Sequence, residues 1–290
     1  MANSGSEEKL TIMKNGLSFD VEDWFQVENL RSAVRRDQWE TMPLRVETNT
    51  RKILDLLRPS GTKATFFFLG WVAERCPQLV KDVDREGHEV ASHGYGHDLV
   101  YNLTAESFRE DIRRSKKMLE DMTGKPVWGY RAPSFSIVRE TMWAIDVLKE
   151  EGFSYDSSIF PVSFHDRYGF AECGALPFRW PNGLLEIPLA VYQMRQLGLP
   201  VAGGGYFRLF PYAYFKFLLR RLNIRQQPFT FYLHPWELDP SQPRVSVPLF
   251  LRFRHYVNLS RTEKRLSRLL TDFPFERMAV VYDVNKSVSV

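Results

Sequence analysis

Lys63-Ala64-Thr65-Phe66-Phe67-Phe68-Leu69 is the stretch that decides the fold. Its apolar residues follow one another without alternation, and it is too short for a helix. A strand with one wet face alternates apolar and polar residues. A continuous apolar run between turn signals marks a strand buried on both faces. Sheets of that kind are parallel, because each crossover lays a helix against one face.

Working outward, the neighbouring segments fit that scheme. Val46 to Leu57 carries apolar residues at helical spacing and stops before Pro59 and Gly61. After the central strand, a helix is expected from Val72 to Arg85, ending at Gly87, and then a strand from Glu89 to Ser92. Leu17-Ser18-Phe19 reads as a strand upstream. Downstream, Thr104 reads as an N-cap, with Glu106 in the first turn, for a helix ending near Thr123-Gly124. Strands over Val127 to Tyr130 and Phe153 to Asp156 flank a helix over Arg139 to Glu151. From Phe160 to about Phe210 the rhythm breaks. Pro161, Pro177, Pro181, Pro188, Pro200 and Gly203-Gly204-Gly205 argue for loops and short strands, with Leu184 to Ile187 as one of them. Tyr212 to Leu222 is a helix, Phe229 to Leu233 a buried strand, and Thr262 to Leu270 a basic amphipathic helix. The expectation is one α/β domain with parallel strands, as an open sheet or a barrel. In such a barrel, chemistry collects at the carboxyl ends of the strands.

The chain's 290 residues can bury a sizeable core. A net charge of +4 is mildly basic, and much of the excess lies in the C-terminal third. A solvated face is the plain reading, and an anionic membrane surface or polymer the sharper one. No nucleic-acid-binding motif is present. Cys76 and Cys173 give neither a disulfide framework nor metal spacing. The polar segment Met1 to Lys14 has no apolar core of a secretory signal, so a cytoplasmic location is expected.

The residues able to do chemistry fall at strand ends. Ser92-His93-Gly94-Tyr95-Gly96-His97 places two imidazoles with three residues between them in a glycine-rich loop. Asp20-Val21-Glu22-Asp23 is an acidic cluster after the first strand. A carboxylate with two histidines is a ligand set for a divalent ion with an open position. Strand alternation puts Asp20 and Glu22 on one side, as base and ligand, which favours Glu22. Asp23 replaces it if the chain turns at Val21. Arg131 ends a strand, and burial there requires a partner that Asp20 can supply, which would hold Asp20 ionised. Asp156-Ser157-Ser158 and His234-Pro235-Trp236 end two more strands, and His234 is placed to deliver a proton. His88 reads as a surface residue near the helix end, and His165 and His255 as surface or structural. Gly203-Gly204-Gly205-Tyr206 lacks the residues of a phosphate loop and reads as a close-approach loop near the substrate.

Together and in this order, these stretches resemble the polysaccharide deacetylases with a NodB-type domain (carbohydrate esterase family four). The resemblance rests on Ser18 to Trp24, Ser92 to His97, Arg131-Ala132-Pro133, Tyr155 to Ser158 and Leu233 to Trp236. It looks closest to the exopolysaccharide-biosynthesis branch, whose C-terminal extension Arg252 to Asn258 resembles. It implies a distorted, incomplete (β/α) barrel of about seven parallel strands. Residues 1–16 would be a disordered amino-terminal segment. Residues 17–290 would form the deacetylase domain, with inserted loops at 160–210 and an extension at 240–290.

By position the resemblance makes Asp20 the catalytic base, paired with Arg131. His234 becomes the acid, oriented by Asp156, and His93 and His97 metal ligands, with Glu22 or Asp23 as the third. A backbone N–H near Phe135 would hold the oxyanion. Zinc is the first expectation, with cobalt, nickel or iron also compatible with the donors. Trp24, Pro133, Phe135, Tyr206 and Trp236, with Trp180, are candidate sugar contacts. The implied reaction is removal of N-acetyl groups from an N-acetylhexosamine glycan, with peripheral membrane contact compatible with the basic C-terminal helix. The rival readings are a cyclic amide (allantoin-like) hydrolase on the same fold and a non-catalytic glycan-binding protein.

Overall fold

The structure, a computed structural model, describes residues 13–162, 173–194 and 197–284. His165 lies outside them. In chain order, β1 is Asn15–Val21, α1 Val46–Leu57, β2 Thr65–Phe68, α2 Gly70–Arg75, α3 Pro77–Arg85 and β3 Glu89–Ser92. Then follow α4 Ala105–Thr123, β4 Gly129–Tyr130, α5 Trp143–Glu150 and β5 Tyr155–Asp156. Short strands β6 Phe178–Arg179, β7 Leu185–Glu186, β8 Val191–Met194 and β9 Leu197–Pro200 lead to α6 Gly204–Leu209 and α7 Tyr212–Ile224. The chain ends with β10 Thr230–Leu233, α8 Leu249–Tyr256, α9 Leu259–Asp272, β11 Phe275–Glu276 and α10 Met278–Val281.

The strands line up as β10-β1-β2-β3-β4-β5-β7-β6, with β11 pairing to the start of β1. From β10 to β7 all seven are parallel, and only β6 runs antiparallel at the far edge. The order does not close on itself, so the barrel is incomplete. β8 and β9 form a separate antiparallel hairpin. All of β1 and β2 is buried, as the unalternating run through Phe66, Phe67 and Phe68 requires. Alternate residues of β2 serve different cores. Phe66 and Phe68 pack in the main core beneath the helices, whereas Phe67 joins Ala91, Tyr155 and Met278 in a smaller cluster. On that second side, Thr65 and Tyr155 donate to the buried Glu89 carboxylate at 2.6 and 2.9 Å, and the first turn of α10 caps it through the Ala279 N–H.

Several boundaries differ from the sequence reading. β1 begins at Asn15, inside the segment expected to be disordered, because Asn15 and Gly16 pair with β11 and Gly16 with β10. The expected helix from Val72 to Arg85 is two helices. Pro77 cannot donate a helical hydrogen bond and disfavours helical backbone at Cys76, which has φ −124° and ψ 54°. The Gly203-Gly204-Gly205 loop opens α6 instead of staying irregular. Gly203 has φ +123°, and a Cβ there would stand 2.0 Å from the Tyr232 carbonyl oxygen. Only glycine lets this segment lie against β10. His88, read as a surface residue, is buried and its Nδ1 accepts the Ala64 N–H at 3.2 Å.

Candidate active site

Parallel strands end on one side of the sheet, and the ends of β1, β3, β4 and β10 surround a cleft of about 440 Å³. Asp20 sits near the end of β1 opposite Phe67. The chain then turns, with the Glu22 N–H donating to the Asp20 carbonyl at 3.0 Å, and both carboxylates face the cleft. His93 follows β3 directly. Its loop to His97 is held by Asp111 of α4, which accepts the N–H groups of Tyr95 and Gly96 at 2.8 and 3.0 Å. A side chain on Gly94 would collide with that carboxylate, its Cβ 2.7 Å from Oδ2.

Glu22, His93 and His97 bring one ligand atom each to within 4.8 Å of one another, all buried. His93 Nδ1 lies 2.8 Å from the Arg131 carbonyl. A carbonyl only accepts, so Nδ1 carries the proton and Nε2 offers its lone pair. Burial pushes the His93 imidazolium down to about 4, keeping the ring neutral as a ligand must be. Burial pushes the Glu22 carboxyl up, but the adjoining His97, His234 and His93 outweigh it and bring it down to about 2. Glu22 Oε2 has no hydrogen-bond donor although His97 Nε2 is 2.6 Å away, so the two atoms meet without hydrogen-bond alignment. An orphaned, buried carboxylate oxygen between two imidazoles fits a divalent cation.

Beside this set, Arg131 is fully buried and donates Nη1 to Asp20 Oδ1 at 2.7 Å and to Ser18 Oγ at 2.8 Å. Its Nε and Nη2 are taken by the Ser157 carbonyl and hydroxyl, and its guanidinium lies 4.2 Å from the Phe67 ring centroid. Asp20 Oδ2 faces His234 Nε2 at 3.9 Å. Burial pushes the His234 imidazolium down, but the charges of Glu22, Glu237 and Asp20 overcome this and lift it to about 9. The cleft thus holds a carboxylate paired with an arginine, a neutral ligand imidazole and a protonated imidazole.

Residues 38–155 match the family model described as polysaccharide deacetylase, and residues 157–283 match a domain of unknown function (DUF3473). Over residues 38–155, then, the chain resembles the polysaccharide deacetylase family. It is 30% identical over 120 residues to a Bacillus cereus peptidoglycan-N-acetylglucosamine deacetylase, covering 37% of this chain and 44% of the relative. It is 30% identical over 122 residues to a Helicobacter pylori peptidoglycan deacetylase, covering 42% and 41%. The chain therefore spans less than half the length of these curated relatives. Among solved structures, an allantoinase (Puue) aligns with TM-score 0.59 at 17% identity, over 94% of this chain and 90% of that one. A peptidoglycan N-acetylglucosamine deacetylase (Bc1960) aligns with TM-score 0.51 at 16% identity, over 95% and 91%. These two likenesses establish the half-barrel fold. In this chain, β10 comes from the segment of unknown function and completes the sheet beside β1.

Several expected residues stand elsewhere than the family pattern implied. Asp23 is not with the metal-ligand set. Its Oδ1 accepts the Trp24 N–H, and its Oδ2 accepts the Arg45 and Val46 N–H groups at 2.7 and 2.9 Å, anchoring the start of α1. Asp156 does not orient His234. It accepts from Ser158 at 2.6 Å, and burial pushes its carboxyl up to about 6 and that of neighbouring Glu186 well above its usual range. The partner of His234 Nδ1 is Glu237, at 2.8 Å, which Arg208 of α6 holds at 2.6 Å. Trp24 is buried core against Phe25, Trp180 packs on Phe178, and Pro133 initiates a turn, so none of the three lines the cleft. Phe135, Tyr206 and Trp236 do line it. The Phe135 N–H is committed to the Ala132 carbonyl at 3.0 Å, which removes it as an oxyanion donor. Glu237, Arg208 and Asp111 went unread in the sequence. Glu237 had a signal, since a glutamate three residues after a helix-entry residue is capping-box spacing, and its side chain does accept the His234 N–H.

Proposed function

We propose that this chain hydrolyses the N-acetyl group of N-acetylhexosamine units in a glycan, releasing acetate and leaving a free amine. What carries the reading is the convergence of Asp20, Glu22, His93, His97 and His234 on one cleft. Glu22, His93 and His97 would hold a divalent cation, zinc first by donor chemistry, with cobalt, nickel or iron as alternatives. Such an ion supplies Lewis acidity toward the amide carbonyl and acidifies water. The chain's own groups do the rest. Arg131 pairs with Asp20 through Oδ1 and fixes its orientation, so that Oδ2 is turned toward the cleft. Asp20 takes the proton from the attacking water. His234, on the other side of Asp20, gives a proton to the departing nitrogen, and Glu237 accepts its Nδ1–H and so aims Nε2–H at the cleft. The aromatic walls Phe135, Tyr206 and Trp236 supply faces for a sugar ring.

The test is acetate release from an N-acetylglucosamine oligomer by the metal-loaded protein. Asp20→Asn should lower turnover by at least about 10²-fold while the metal content, read by elemental analysis, stays near one per chain. A near-wild-type rate for that variant would end the assignment of Asp20. Ring opening of a cyclic amide without acetate release would support the allantoin-like alternative.

A further inference from the structure

α8 departs from the pattern of a surface helix. Leu249, Phe250 and Phe253 are 82, 69 and 56% exposed. They fall within an arc of roughly 100° on one face. Phe250 and Phe253 also line the mouth of the cleft, together with Leu209, itself 45% exposed. An apolar rim therefore runs from solvent to the edge of a charged floor. Sugar rings are gripped by flat faces with polar edges, the chemistry of Trp and Tyr. The exposed members here are leucines and phenylalanines, which suit hydrocarbon.

The charge beside this rim is one-sided. Between Arg244 and Arg268 seven arginines and lysines stand against a single acid, Glu263, which Lys52 approaches at 3.5 Å. Arg252 of α8 and Arg261 and Lys264 of α9 are exposed, with no carboxylate partner among the described residues. Exposed apolar side chains flanked by unpaired cations are complementary to an anionic lipid interface.

We propose that α8 docks on an anionic membrane surface. Leu249, Phe250 and Phe253 enter between the headgroups, Arg252 and its basic neighbours meet lipid phosphates, and the cleft mouth is set against the membrane. The contact is that of one short helix lying in the interface. No helix among the described residues is long and apolar enough to cross a membrane. One consequence rests on the deacetylase reading: the glycan acted on is presented at that surface. The docking itself does not depend on any reaction.

The experiment is co-sedimentation of the full chain with vesicles of phosphatidylcholine alone or with phosphatidylglycerol added. The expected result is at least about tenfold stronger partitioning onto the anionic vesicles, weakened by salt. Phe250→Asp/Phe253→Asp should lower it tenfold or more, and Arg252→Glu at least about fivefold. Unchanged circular dichroism shows that these exposed substitutions leave the fold intact. Equal binding to both vesicle types, or no binding, overturns the proposal. So does loss of binding through Phe217→Asp/Ile224→Asp, at two exposed apolar positions of α7, while the α8 variant binds normally. If the α8 variant instead splits a dimer into monomers and neither form binds vesicles, the face belongs to a second copy. Acetate release is not read in this assay, so its failure leaves the deacetylase reading standing.

Discussion

Replacing Glu237 by glutamine separates a charge from its partners without changing the shape of the side chain. Glu237 is fully buried and accepts Arg208 Nε at 2.6 Å, His234 Nδ1 at 2.8 Å and the His234 N–H at 3.0 Å. Breaking a buried pair by neutralising one partner costs about 3–5 kcal/mol, because the other charge is left uncompensated. Arg208 keeps the carbonyls of Arg254, His255 and Val257 at 3.1, 2.7 and 3.0 Å, which places the expected loss at the lower end. A loss of about 3 kcal/mol lowers Tm by roughly 5 °C in a chain of this size. The same substitution weakens the hold on His234, so kcat should fall by about 10²-fold with KM little changed. Thermal unfolding by circular dichroism and acetate release read the two effects separately. The double variant Arg208→Met/Glu237→Gln should recover part of the Tm, because no unpaired guanidinium remains. A Glu237→Gln protein that melts within about a degree of wild type and turns over normally would refute the claim that this carboxylate supports His234.

Three further outcomes follow from buried contacts. Burial raises both Asp156, to about 6, and Glu186, well above the carboxylate range, so the folded pair retains a proton that the unfolded chain releases near pH 4. Stability should therefore be greatest below about pH 4 as far as this pair is concerned, and fall as pH rises through about 6 and beyond. Glu186→Gln should flatten that slope in Tm-against-pH measurements, and an unchanged slope would exclude the pair as its source. Gly203→Ala should cost at least about 3 kcal/mol in urea unfolding, since its Cβ would meet backbone of β10 and not a movable side chain. Asp111→Ala should weaken zinc binding by about 10–100-fold in calorimetry, because Asp111 holds the loop that carries both imidazoles. Undiminished affinity would show that the loop keeps its shape unaided.

The sequence by itself was enough for the layered architecture and for the strand-end positions of Asp20, His93, Arg131 and His234. Periodicity and turn residues report the local state of the backbone and the face on which a side chain emerges. Those are properties of a few neighbouring residues. They do not report where a side chain's partner comes from. Asp23 and Glu22 are adjacent and chemically alike. Only the arrival of α1 above β1 gives Asp23 to the Arg45 and Val46 N–H groups and leaves Glu22 to face the imidazoles. Trp24 reads like a sugar contact until Phe25 and its neighbours bury it. The choice of Glu237 over Asp156 as support for His234 depends on Arg208, brought in from α6. These decisions belong to contacts between residues far apart in the chain, whose strength depends on burial and charge pairing that exist only once the sheet has assembled.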